Sequence, residues 1–186
     1  MKTKASFDVK RLTYLSMLSA LVFLLQIMAI PVGGFFETSA LPVAVIVVGA
    51  AIFGIKGGAW LGLVFSIAVL LLPGTQVYLT FGDNQVYSYF CTIAVVFIKG
   101  IVAGIAAGVV YKLLKNINRY VAVLISGIAA VSMNTGIFIL GSILFFEASF
   151  AAMMTIALLV SYLIELSTSI LLAPATLRII NIKNKG

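Results

Sequence analysis

Apolar residues in this chain run in long blocks, without the alternation of a half-buried strand or the narrow stripe of a surface helix. Polar residues gather in the gaps, and the gaps define the elements. The first block, 9–30, is stopped by Pro31 and the pair Gly33-Gly34. From 41 to 72 the only interruption is GIKGG at 54–58. That splits the run into 41–54 and 59–72, each shorter than the ~20 residues that cross a bilayer upright. The pattern there predicts two short or bent helices joined by a tight turn. Blocks at 88–114, 120–146 and 150–177 complete the set. The expectation is an all-α membrane protein with six transmembrane helices, forming one domain over residues 1–186.

Charge gives this ladder a direction. Lys2, Lys4, Lys10, Arg11, Lys56, Lys112, Lys115, Arg119, Arg178, Lys183 and Lys185 all fall on one side of a six-span arrangement, and Glu37, Asp83 and Glu147 on the other. Bases favour the inner face, so both termini are expected in the cytoplasm and the chain in the plasma membrane. The first apolar run is too long for a typical signal-peptide core and is followed by no clear cleavage site. Between the third and fourth blocks, PGTQVYLTFGDNQVYSY is long and aromatic enough for a lid or for an interfacial anchor.

Composition agrees and narrows the chemistry. Of 186 residues, 63% are hydrophobic and 9% charged, with a mean hydropathy of +1.24. The net charge of +7 is spread over helix ends and indicates no nucleic-acid partner. One cysteine, Cys91, and no histidine leave no common zinc, haem or iron–sulfur site, so neither a metal nor a cofactor is expected. The chain lacks a phosphate-binding loop, an HExxH pair, and a nucleophile with a histidine base, so it is not expected to be an enzyme. Any transport driven by nucleotide hydrolysis needs a separate ATPase.

Two charges stay inside the membrane: Lys99 and Glu165. An isolated lysine near mid-bilayer costs ~2.5–3.5 kcal/mol on insertion scales, so it must face protein, water or ligand. Counted inward from the outer helix ends, Lys99, Asn134 and Glu165 lie roughly 13, 18 and 22 Å deep. A Lys99–Glu165 ion pair and a ligand carboxylate held by Lys99 both fit these residues, and Asn134 suits either a helix–helix hydrogen bond or a ligand. Ser161, Glu165 and Thr168 share one side of their helix, but hydroxyls can bond their own backbone, so Glu165 stands out.

A second pattern borders Lys99. Gly100, Gly104 and Gly108 recur every fourth residue and make a bare stripe, open either to a neighbouring helix of the bundle or to a separate membrane protein. Ser16 and Ala20 form a shorter small-residue pair on the first helix.

Taken together, the opening KRLTYLSMLSALVFLLQ, the segment TIAVVFIKGIVAGIAAGVVYKLL with its basic loop, and MNTGIFILG resemble the substrate-binding S components of energy-coupling factor (ECF) vitamin transporters. The resemblance covers nearly the whole chain. It implies high-affinity capture of a vitamin or related micronutrient from outside, followed by association with a transmembrane coupling protein and two ATPase subunits. It places the pocket at the first and third outer loops, 33–40 and 76–89, with Glu37, Tyr78 and Asn84, and on the last three helices, with Lys99, Asn134, Tyr162 and Glu165. Docking to the coupling protein falls to Ser16 and Ala20, where the family's alanine-xxx-alanine reads serine-xxx-alanine, and to Gly100, Gly104 and Gly108. Lys99 favours a carboxylate-bearing substrate, with pantothenate the first guess and folate or a queuosine precursor also open. A stand-alone solute or ion carrier and a non-transport membrane scaffold are the alternatives.

Overall fold

In hydrocarbon no water satisfies a backbone amide, so each long apolar run closes its own hydrogen bonds as a helix. The computed structural model describes residues 2–28, 31–32, 36–37, 39–72, 85–145 and 148–185. Within them the chain forms α1 (Lys2–Ile27), α2 (Ala40–Leu70), α3 (Gln85–Leu114), α4 (Arg119–Phe145) and α5 (Ala148–Lys185). A small antiparallel pair, β1 (Pro31–Val32) and β2 (Phe36–Glu37), lies between α1 and α2 and sets Pro31 against Glu37. Among the described residues five helices are long and apolar enough to cross a membrane, where the sequence pattern predicts six.

The difference lies in α2. The GIKGG stretch makes no separate loop: residues 55–58 are helical, and the whole turn is made at Gly54, with φ 73° and ψ −167°. Only glycine adopts this backbone without strain. The helix doubles back there. A Cβ placed on Gly58 would lie 3.0 Å from the Ala50 Cβ, and one on Gly49 would meet the Leu61 side chain, although positions eight apart in a straight helix are separated by ~12 Å. Thus α2 is two arms, 40–53 and 55–70, laid side by side.

Around this folded helix the others are arranged in sequence. α1 and α3 pack on α2, α4 on α3, and α5 on α4 and back onto α2. One core cluster joins Val43, Val47 and Ala50 to Ala107, Tyr111, Val123, Val131 and Ile180. Another joins Val22 of α1 to Leu61, Phe65 and Val69 of the second arm and Val96 of α3.

Bases meet at one end. The Arg11 guanidinium donates to the Phe53 carbonyl (3.4 Å), just before the Gly54 turn, and stands over the Phe53 ring. At the same end Arg119, opening α4, donates to Asn181 near the end of α5 (3.4 Å).

Candidate functional site

Lys99, Asn134 and Glu165 project from α3, α4 and α5 and are 6, 3 and 3% exposed. The depths read from the outer ends need correction. Counted from Lys112, Arg119 and Arg178 at the basic end, the three lie roughly 20, 22 and 20 Å in. They share one level because the helices begin together at the basic end and run to different lengths at the other. The Glu165 carboxyl accordingly feels the Lys99 charge and the side chains of Asn134 and Ser39.

Glu165 has a partner that lies far away in sequence. Its Oε1 accepts a hydrogen bond from the Ser39 backbone N–H at 2.8 Å. Ser39 is the N-cap of α2, so the carboxyl sits at the positive end of that helix, as the glutamate of a capping box does within one chain segment. The first arm, 40–53, rises only roughly 21 Å from the basic end, well short of the ~30 Å hydrocarbon thickness. α2 therefore begins inside the bundle, level with Glu165.

Lys99 extends toward aromatic faces. Its Nζ is 4.5 Å from the centre of the Phe138 ring on α4 and 5.7 Å from that of Phe65 on the second arm. A desolvated ammonium is stabilised by such faces by ~2 kcal/mol.

Hydroxyls divide into two kinds. Ser126, Ser142, Ser167 and Thr168 each donate to the carbonyl four residues back, which leaves Thr168 outside the site. Tyr162 pairs its hydroxyl with Ser132 Oγ at 3.1 Å, joining α4 to α5. By contrast Gln26 Oε1, Thr92 Oγ1, Asn134 Oδ1, Ser161 Oγ and Glu165 Oε2 are buried and, among the described residues, have no hydrogen-bond partner. Sequence reasoning missed Gln26, Thr92, Phe65 and Phe138, and reached Ser39 only as one position of the loop 33–40. Two of the missed residues carried a signal: Gln26 is an amide in an apolar run, and Thr92 lies seven residues before Lys99 on the same helix face.

The remaining expectations sort cleanly. Glu37 lies in β2, which contacts α5. Tyr78 and Asn84 lie outside the described residues. Gly100, Gly104 and Gly108 face inward: a Cβ on Gly104 would strike the Gly58 carbonyl, one on Gly100 would lie 2.6 Å from the Gly62 oxygen, and one on Gly108 would be 2.8 Å from the Ile55 Cα. Gly58 and Gly62 form a matching stripe on α2, so the glycine face is filled from within. Ser66 reinforces the contact, donating from Oγ toward Val96 O of α3 at 2.9 Å and Gly62 O at 3.0 Å. Ser16 and Ala20 are exposed on α1, while Ser19 on its inner side accepts from Trp60 Nε1 (3.1 Å).

Chemically, the arrangement offers a cation, a carboxyl and an amide at one depth, with low-dielectric walls and acceptors to spare. No group of three histidine, cysteine or acidic residues able to hold a metal ion occurs among the described residues. Comparison with curated proteins and with solved structures gave no match. A family model described as "ECF transporter, substrate-specific component" matches residues 10–179.

Proposed function

The chain belongs to the substrate-specific components of ECF transporters, and from that premise we propose that it captures a vitamin or related micronutrient with high affinity, a carboxylate-bearing compound such as pantothenate first among them. Membership makes it a multi-pass, substrate-binding subunit of an importer rather than an enzyme, working with an ECF module of transmembrane component and ATPases. In this reading Lys99 holds the acidic group, while Asn134 and Glu165 orient the rest of the molecule. Counted separately, the two arms of α2 bring the helices embedded in the membrane to six, with the two termini in the cytoplasm.

The observation that carries the proposal is the meeting of Lys99, Asn134 and Glu165 at one level, with Asn134 Oδ1 and Glu165 Oε2 buried and without partners. A purely structural polar cluster would be expected to satisfy its own members. The gathering of Arg11, Phe53, Arg119 and Asn181 at one end supports the topology.

The direct test is mass spectrometry of small molecules that copurify with the detergent-solubilised protein, followed by uptake of that molecule into proteoliposomes with and without the coupling module. A bound micronutrient, taken up only with the ATPases present, is the expected result. Uptake without them would favour a stand-alone carrier.

A further inference from the structure

Between residues 9 and 27 α1 is mostly exposed, yet one polar side chain on it is enclosed. Gln26 is 1% exposed, and its Oε1 is buried without a hydrogen-bond partner among the described residues. It follows Val22 by four positions and so stands one turn outward on the same face. Val22 belongs to the core cluster that holds Phe65 and Val69 of the second arm and Val96 of α3, with Phe138 of α4 packed against it. Counted from Arg11 at the basic end, Gln26 lies roughly 22 Å in. That is the level of Lys99, Asn134 and Glu165.

The same cluster leads to Lys99. Its Nζ stands over the rings of Phe138 and Phe65, and Val96 precedes it by three positions on one face of α3. The inner face of α1 and the Lys99 face of α3 therefore pack on the same side chains. Buried hydroxyls in this interior have a way out, since a serine or threonine can turn to the carbonyl four residues back, as Ser126 and Ser142 do. Gln26 has no such recourse. Its Oε1 only accepts, and the backbone N–H groups of its own helix are committed to the ladder.

A buried amide left unmet opposes folding, and an apolar side chain of the same shape would serve the fold at least as well. Resting on the capture reading above, we infer that Gln26 is a substrate-binding residue: α1 joins α3, α4 and α5 around the site, and the Gln26 amide receives an uncharged polar group of the bound molecule. A carboxamide offers two donors and an acceptor, so it suits a hydroxyl or an amide, which can give and take a hydrogen bond at once. An analogue lacking that group leaves the amide unpaired and is rejected for that reason. Because Ser16 and Ala20 lie on the exposed side of the same helix, α1 then touches the cargo on one face and offers the expected docking surface on the other.

The test is mass spectrometry of the small molecules released by heat from the detergent-purified full-length protein and from its Gln26→Met variant, counted per mole of protein. Methionine keeps the length of the side chain and lacks the amide. The parent is expected to carry a molecule with a hydroxyl or amide group, and the variant to carry about tenfold less of it, the loss that follows when a buried polar group is deprived of its partner. Both proteins are also washed free of small molecules on the affinity resin and melted. The washed variant is expected to melt at the same temperature as the washed parent or above it, because the amide is unpaired in the unliganded fold. Equal retention by the two proteins overturns the inference and leaves capture standing. A retained molecule without a hydroxyl or amide does the same, and so does a washed variant that melts lower, since the amide would then be holding the fold. A parent that carries no small molecule at all removes the capture reading, and this inference with it.

Discussion

A lysine on a bilayer-length helix is tolerable only where its surroundings answer the charge, and around Lys99 the answer comes from the Phe138 and Phe65 faces and a carboxyl at the same level. None of these is adjacent to it in sequence. Replacing the ammonium, as in Lys99→Ala, is predicted to cost about 2–5 kcal/mol of substrate binding, the range for truncating one partner of a buried charged contact. The bundle should survive, because the closest backbone contacts of α3 with α2 run through its glycine face. Calorimetry and a detergent melting curve check both halves, and equal affinity in mutant and parent would remove Lys99 from the site. Lys99, Glu165 and Asn134 were legible because a charge or amide in an apolar run is expensive. Ser39 was not, since it contributes a backbone N–H that every non-proline residue owns.

At the scale of elements the chain depends on close approach of backbones. Where α3 crosses the second arm of α2, glycine faces glycine, and with no hydrophobic force between helices in lipid, such contact supplies much of the attraction. Gly104→Leu is predicted to destabilise the fold by about 3 kcal/mol or more, because the added carbon meets the Gly58 carbonyl, which cannot rotate away. The expected readout is a lower melting temperature and loss of a monodisperse detergent peak. Gly136→Ala, where a Cβ meets nothing within 4 Å, is the matched control and should be neutral or slightly stabilising. At Gly54 the added Cβ has space, but the φ of 73° is unfavourable for any L side chain. Gly54→Ala should therefore cost about 1–3 kcal/mol, measured by thermal unfolding. The stripe at 100, 104 and 108 was readable from spacing alone. Its partner at 58 and 62 was hidden by its place beside a predicted turn, where glycines have another reason to occur.

For the molecule as a whole, α1 stands apart. It packs on α2, and only 11% of its apolar window is buried, against 28–56% for the other helices. That leaves Ser16 and Ala20 on an open small-residue surface suited to a partner helix. Ala20→Trp is predicted to spare substrate binding and abolish uptake in proteoliposomes containing the ECF module; persistent uptake would mean that α1 is not the docking surface. Much of this architecture follows from sequence, because a hydrocarbon slab permits few solutions. Long apolar runs must become helices, bases collect at one face, and the few polar groups left within stand out by their cost. The sequence alone thus determined the class, the family likeness and the identity of the anomalous residues. Only the tertiary structure decided which of them meet: that α2 folds back on one glycine, that its own glycines fill the α3 stripe, and that Ser39 reaches Glu165 across 126 positions of chain. The physical reason is that spacing along a helix fixes which face a residue occupies, whereas contact between helices depends on where their axes lie and how deeply each begins, and no single run of residues carries that information.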